Sequence, residues 1–528
     1  MKLILKPSSK KNKTVQSRWL CAWSILFLCL AQAKAENPIP APTASQLKLP
    51  GLFSDNMVLQ QGASVPIWGW GAEGETVTVI FRDQKISTKV KDGQWQVRLR
   101  NLQVGNPETL TIKAGDTLQF TNVLVGEVWL CSGQSNMGRT MLRTFQPEAD
   151  IASATNTMIR LFTVPNVKAD APSKNVGGSW KLCSPQTITN FSAVGYYFGR
   201  DLQSARHVPV GLIESDWGGT PARAWISATA LEANPRLKKE IIDTFPASRK
   251  KYIEDKAVYD AAKAEAQRQK KEFNQRAPFT SWRPGELYNG MIAPLMPFAI
   301  KGVIWYQGES DVSRANQYRE LFRDLVRDWR RDWAEGDFPF LCVQIAPFKE
   351  IKSEPGESEL AELREAQWLT TKTLPKMGMA VITDVGDEKN IHPEKKAPVG
   401  ARLALVARAI AYGEKNVYSG PIYKNMNIRG SKVILTFDHV DGGLTAPGAL
   451  QGFSICGSDK KFVWAQAEIR PDNTVTVWSP EVSQPVAVRY GWADYPVVNL
   501  WNKAGLPASP FRTDDFPMIT GKPSAVKN

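Results

Sequence analysis

The sequence predicts an α/β fold with a mainly parallel sheet, set between two small β-rich modules. Two observations carry this. From Val123 to about Tyr418, apolar runs end in glycine-rich or polar loops and helical stretches separate them. On either side, from Leu49 to about Asn122 and from about Ser419 onward, short stretches alternate apolar and polar residues. Parallel strands need a long crossover, usually a helix, whereas period-two alternation marks half-buried strands joined by turns. A chain of 528 residues has room for roughly two to four domains.

Residues 1–35 read as a secretory signal. Lys2, Lys6, Lys10, Lys11, Lys13 and Arg18 precede an apolar run from Trp19 to Leu30, too short to span a bilayer, and Ala33-Lys34-Ala35 offers small residues for cleavage. Removing this segment lowers the formal charge from +14 to about +7. The remaining excess is spread out, with no dense basic and aromatic block, so a nucleic-acid partner is not expected. No later segment is apolar enough to cross a membrane, and the protein is expected to be secreted or periplasmic. A retained anchor is the alternative.

Residues 36–122 form the first module. "SVPIWGWG", "ETVTVIFR", "KISTKV", "QWQVRLR" and "ETLTIKA" alternate and are separated by Gly and Asp-Gly turns, a small β-sandwich signature. Residues 123–418 form the α/β domain. "NVLVGEVWLCSG", "VPVGLIESDWGG", "IKGVIWYQGESD", "FPFLCVQIAP" and "GMAVITDVGD" read as buried parallel strands. "AVGYYFGRDLQSAR" and "QYRELFRDLVRDWRRDW" read as helices, the second with Tyr318, Leu321, Leu325 and Trp329 on one face. A lysine-rich helical insertion, about 234–276, lies on the surface. Residues 419–528 return to strands: "KVILTFDHV", "FVWAQAEI", "NTVTVWS" and "PVAVRYGW". Cys131, Cys183, Cys342 and Cys456 lack CxxC spacing, which argues against zinc. An exported chain can oxidise them in any of three pairings.

Parallel sheets hold ligands at the carboxyl ends of their strands. Four polar loops fall at such ends: "GQSNM" with Ser135, "DWGGTPARAW" with Gly218 and Gly219, "WYQGESD" with Gln307 and Glu309, and "KNIHPEKK" with His392. Serine needs a base to become a nucleophile, and histidine titrates near neutrality. His392 follows a strand end and precedes a helix-like run, which puts it on the rim with Ser135. His207 follows a helix and His439 is expected inside a strand. A tetrahedral intermediate needs donors for its oxyanion. Candidates are the N–H of Ser135, the Gly218-Gly219 pair and the Gln307 amide.

Gly133-Gln134-Ser135-Asn136-Met137 lacks the second glycine of the α/β-hydrolase elbow. The order of an early serine, a glycine, an amide-bearing loop and a late histidine resembles the SGNH hydrolases. "FSDNMVLQQ", "GEVWLCSGQSNM", "GGTPARAW", "LYNGMIAPL", "GVIWYQGESD", "IHPEKK" and "NLWNKAGLPASPFRTD" further resemble the sialate O-acetylesterase family, from about Leu49 to Asp515. That resemblance implies an SGNH-hydrolase-like three-layer α/β/α domain flanked by β modules, and removal of acetyl groups from sugars with no metal or cofactor. It implies Ser135 as nucleophile and His392 as base, with Ser135, Gly219 and Gln307 as oxyanion donors. The implied partner is an acetylated sugar or glycan.

Two positions depart from the family pattern. Asn390 stands where the family commonly carries the aspartate of Asp-Ile-His-Pro, so the imidazole must be oriented by Asn390, Asp387, Glu388 or a backbone carbonyl. Arg223 stands where members often carry an acidic residue. Arg223 and Arg139 are candidates to bind a sialate carboxylate, with a surface salt bridge as the plainer reading, and Glu309 is a candidate to orient its neighbours or bind substrate. The leading expectation is a secreted sialate O-acetylesterase. The alternatives are an acetylesterase of xylan or another plant glycan, and a non-catalytic carbohydrate-binding protein with a degenerate site. A metal-dependent deacetylase would need a His/Asp cluster that the chain does not offer.

Overall fold

Apolar runs that recur at strand length, each closed by glycine or a polar turn, assemble into one parallel sheet. The computed structural model describes residues 47–521, and the expected signal and its cleavage site lie outside the described residues. The strands are β1 (Thr117–Gly133), β2 (Ile159–Thr163), β3 (Val210–Asp216), β4 (Gly302–Tyr306), β5 (Phe340–Val343) and β6 (Met377–Ala380). They pair in the order β6-β5-β4-β1-β3-β2, each pair parallel.

Successive side chains of a strand point to opposite faces, and both faces here are covered. Val128 and Leu130 of β1 join one core with α2 (Ala315–Trp333) and α3 (Glu359–Thr373). Trp129 and Cys131 join another with α1 (Ala193–Arg206) and α4 (Ala397–Tyr412). Tyr318, Leu321, Leu325 and Trp329 of α2 are buried, as their spacing predicts. α1 starts where Ser192 accepts a hydrogen bond from Gly195 N–H, the usual serine cap.

The chain enters β3 on one side of β1 and resumes as β4 on the other. Loops leaving β1, β3 and β4 therefore splay apart and leave a crevice at their carboxyl ends. β1 is long for a reason. Its first part pairs antiparallel with Glu108–Lys113, and its last part lies between β3 and β4. Asn122, with φ of 56°, sits where the register shifts between the two. The texture change in the sequence thus falls inside a single strand.

In the N-terminal segment, Val65–Trp70 pairs with Gln94–Leu99, and Thr76–Phe81 with Gln84–Lys89. The C-terminal segment has its own core. Ile422–Arg429, Lys432–Asp438, Val475–Trp478 and Gln466–Ile469 form one sheet, and Phe453–Cys456, Phe462–Trp464, Ala487–Tyr490 and Phe511–Arg512 another. The run "FVWAQAEI" is thus two strands in two sheets. The buried Arg364 guanidinium ties this segment to the central one, donating to the carbonyls of Ile345, Ala346, Ala493 and Asp494.

Three local expectations are refined. The strand expected to contain His439 ends at Asp438, and His439 takes a left-handed turn with φ of 59°. The four cysteines are buried free thiols rather than disulfides. The inserted helix, Phe245–Arg268, buries none of its side chains. Among the described residues no helix is long and apolar enough to cross a membrane.

Candidate active site

The loop after β1 owes its shape to a crowded strand end. Gly133 has φ of 144°, and a Cβ there would collide with the carbonyl oxygen of Tyr306 on β4, so glycine is required. The next N–H, of Gln134, donates to that same carbonyl at 3.0 Å. The Gln134 carbonyl then accepts from Met137 N–H at 2.8 Å and Gly138 N–H at 3.1 Å, closing a tight turn. Ser135 stands on this turn, half-buried at the crevice.

The loop between β6 and α4 brings His392 to it. His392 Nε2 lies 2.8 Å from Ser135 Oγ, across 257 residues of sequence. For the hydroxyl to donate, the imidazole carries its proton on Nδ1. Asn390 and Asp387, the two candidate orienters, shape the loop and do not reach the ring. Asn390 Oδ1 accepts from His392 N–H at 2.9 Å, and Asp387 Oδ1 accepts from the N–H groups of Lys389 and Asn390 at 2.8 and 3.0 Å. Burial lowers the His392 pKa below the ordinary histidine value, and the nearby cations Arg139 and Lys396 lower it further. The resting ring is therefore neutral, the form a base needs.

The N–H groups expected as oxyanion donors lie on two loops. A Cβ on Gly218 would lie 3.3 Å from Ser135 Cβ, so this loop abuts the serine. Gly219 has φ of 73°. The N–H groups of Ser135 and Gly219 make no hydrogen bond to the described residues and remain available. Gln307 is placed otherwise than expected. It is 0 % exposed. Its Nε2 donates to Thr220 O at 3.1 Å and Asp311 Oδ2 at 2.7 Å, and its Oε1 accepts from Tyr318 at 3.0 Å. The amide is fully committed, and what it holds is the carbonyl following Gly219.

Asn136 was not singled out by sequence reasoning, and it joins three of the four loops. Its side chain is buried. Nδ2 donates to Glu309 Oε1 at 2.5 Å and to Ile391 O, next to His392, at 3.0 Å. Oδ1 accepts from Lys396 Nζ at 2.6 Å. Glu309, expected as an orienter or at the substrate, is half-buried in this network, and its buried Oε2 has no partner among the described residues. Burial raises the Glu309 pKa and lowers that of Lys396 to about 7. The only sequence signal for this hub was an amide beside the serine and a second lysine in "HPEKK".

The two candidate substrate arginines differ. Arg139 Nε donates to Arg143 O at 3.0 Å, and its guanidinium lies 3.8 Å from Glu394. Arg223 makes no ion pair or side-chain hydrogen bond with the described residues, so the plainer salt-bridge reading does not apply to it. Among the described residues no cluster of three or more His, Cys, Asp or Glu is placed to hold a metal ion.

The chain resembles proteins with related chemistry. Residues 276–408 match a family described as carbohydrate esterase, sialic acid-specific acetylesterase. Human sialate O-acetylesterase is 30% identical over 512 residues, covering 87% of this chain and 91% of that protein. The rat sialate O-acetylesterase is 31% identical over 505 residues, covering 84% and 89%. Among solved structures, a carbohydrate acetylesterase from Xanthomonas citri is 38% identical, covers 89% of this chain and 100% of its own, and superposes with a TM-score of 0.77.

Proposed function

Because this chain belongs to the sialate O-acetylesterase family of carbohydrate esterases, we propose that Ser135 and His392 form its catalytic pair and that its substrate is an O-acetylated sialic acid. The observation that carries the catalytic reading is the 2.8 Å contact between Ser135 Oγ and His392 Nε2 at the mouth of a parallel-sheet crevice.

Ser135 Oγ attacks the acetyl carbonyl as His392 Nε2 takes its proton. The oxygen that becomes negative accepts hydrogen bonds from the N–H groups of Ser135 and Gly219, which are unspent among the described residues. His392 then protonates the departing sugar oxygen. Water, deprotonated by the same imidazole, releases acetate from the acetyl-serine. Among the described residues no carboxylate pairs with the His392 ring, and two cations oppose its protonation. The pair works as a dyad whose ring is steered by its loop, not by a charged third member.

The substrate reading rests on the relatives, which are named for sialate esters. Export rests on the basic and apolar N-terminal segment. An SGNH-type three-layer domain, residues 123–418, is the frame in which this pair operates, with residues 36–122 and 419–528 as its β modules.

The test is labelling with a fluorophosphonate, followed by mapping of the modified residue. Modification of Ser135, with acetate release from acetylated sialic acid lost about 10⁴-fold or more in Ser135→Ala, is the expected result. Labelling elsewhere, or an active Ser135→Ala, refutes the assignment. Acetylated xylan hydrolysed in preference to the sialate ester refutes the substrate.

A further inference from the structure

The loop that leaves β3 passes beside Ser135 and ends in a guanidinium that forms no ion pair with the described residues. Trp217 opens the loop, Gly218 abuts the serine, and Arg223 closes it. Arg223 is half-buried, yet only its backbone carbonyl is used, accepting from Gly285 N–H at 3.0 Å. The carboxylates near it are engaged elsewhere. Asp311 Oδ2 accepts from Ala222 N–H at 2.8 Å and from Gln307 at 2.7 Å, and its Oδ1 faces Arg314 at 3.3 Å. Glu286 Oε1 accepts from Arg283 N–H at 2.9 Å and lies 3.5 Å from Lys168 Nζ.

Arg314 crowds the same place. Its proximity and burial both lower the Arg223 pKa, to about 10, which leaves the guanidinium charged at neutral pH. Arg314 Nε is itself buried with no partner. Asp311 is thus shared with Arg314 and Glu286 with Lys168, and neither carboxylate forms an ion pair with Arg223. A partly desolvated guanidinium without a counter-ion is unfavourable until an anion arrives. Its planar fork matches a carboxylate with two parallel hydrogen bonds. Lys168 is held on its other side by Trp282 and Trp217, its Nζ lying 3.9 and 5.7 Å from their ring centroids.

We propose that Arg223, backed by Arg314, is an anion subsite on the wall of the Ser135 crevice and takes the carboxylate of an acidic acetylated sugar, a sialate or a uronate. This rests on the esterase reading and adds the feature by which that site selects its sugar.

The test compares kcat/KM, within each enzyme form, for an acetylated sugar acid and for its methyl ester, which keeps the acetyl group and removes the charge. Acetylated N-acetylneuraminic acid and acetylated glucuronic acid are the two acids. The wild type favours at least one free acid by about tenfold to a hundredfold, the scale of a charge-assisted pair, with the difference in KM. Which acid is favoured identifies the source of the carboxylate. In Arg223→Ala the ratio falls towards one, and Arg223→Lys keeps part of it. A ratio taken within one enzyme form is insensitive to loss of folded protein. A wild type indifferent to methylation, or an Arg223→Ala that keeps the preference, overturns the subsite. Failure of the wild type to cleave even an aryl acetate overturns instead the esterase reading, and the subsite with it.

Discussion

Replacing Asn136 by alanine strands three partners at once, of which Lys396 is buried and Glu309 and Ile391 are half-buried. Glu309 loses the donor to Oε1, Lys396 loses its acceptor and Ile391 its carbonyl partner. A hydrogen bond to a charged group contributes about 1.5–3 kcal/mol and a neutral one about 1 kcal/mol. The loss is therefore roughly 4–7 kcal/mol, with the lower part favoured because Lys396 can shed its proton at a pKa of about 7. Unfolding entropy near 2.1 cal/mol/K per residue, over about 475 described residues, gives about 1 kcal/mol per degree. Thermal melting followed by circular dichroism should then show a fall of about 4–7 °C. Catalysis should suffer separately, because the Ile391 contact fixes the residue before His392. A displacement of the base by about 1 Å costs on the order of a hundredfold in kcat. The double variant Asn136→Ala with Lys396→Met removes the stranded ammonium and should recover part of the melting temperature but not kcat. A single variant that melts within about 1 °C of wild type, with kcat within about threefold, would show that Asn136 does not hold these loops together.

Gln307→Leu separates two roles for that amide. As a clamp on Thr220, its loss lowers the melting temperature by about 2–4 °C as well as the rate. An oxyanion donor would instead cost about 10²–10³ in kcat with the melting temperature unchanged. The acid limb of kcat/KM reports the free enzyme's base, and His392 must be neutral to act. Burial and the neighbouring cations lower its pKa, so the limb falls below the ordinary histidine range. Arg139→Gln removes one cation, raises the pKa and moves the limb to higher pH. A limb that stays put in that variant refutes the assignment of base or neighbour.

The sequence makes the sheet and the meeting of Ser135 with His392 legible, because both depend on local pattern. Buried parallel strands announce themselves as unbroken apolar runs, and polar clusters at their carboxyl ends converge by topology alone. That argument brings Ser135 and His392 together. The same argument misplaces Gln307, since strand-end position does not say which way a side chain turns or whether its donors are spent. It passes over Asn136 and Lys396, whose roles exist only through partners far apart in sequence. Asn390 shows a third limit. Its amide does meet His392, but at the backbone N–H, and residue type alone does not choose between ring and backbone.

Strand β1 crosses from one sheet into another and stops two residues short of the serine. Just past the kink at Asn122, Leu124 to Gly126 are laced to Val58, Leu59 and Gln60. The leading segment is thereby fastened on both sides of the kink and has no hinge about which to swing. A single proteolytic nick after Asn122 should leave the two pieces zipped together, with the crevice intact. Stiffness at the Ser135 turn is thus supplied from well upstream of it, and any exchange of the leading segment for another has to rebuild that lacing.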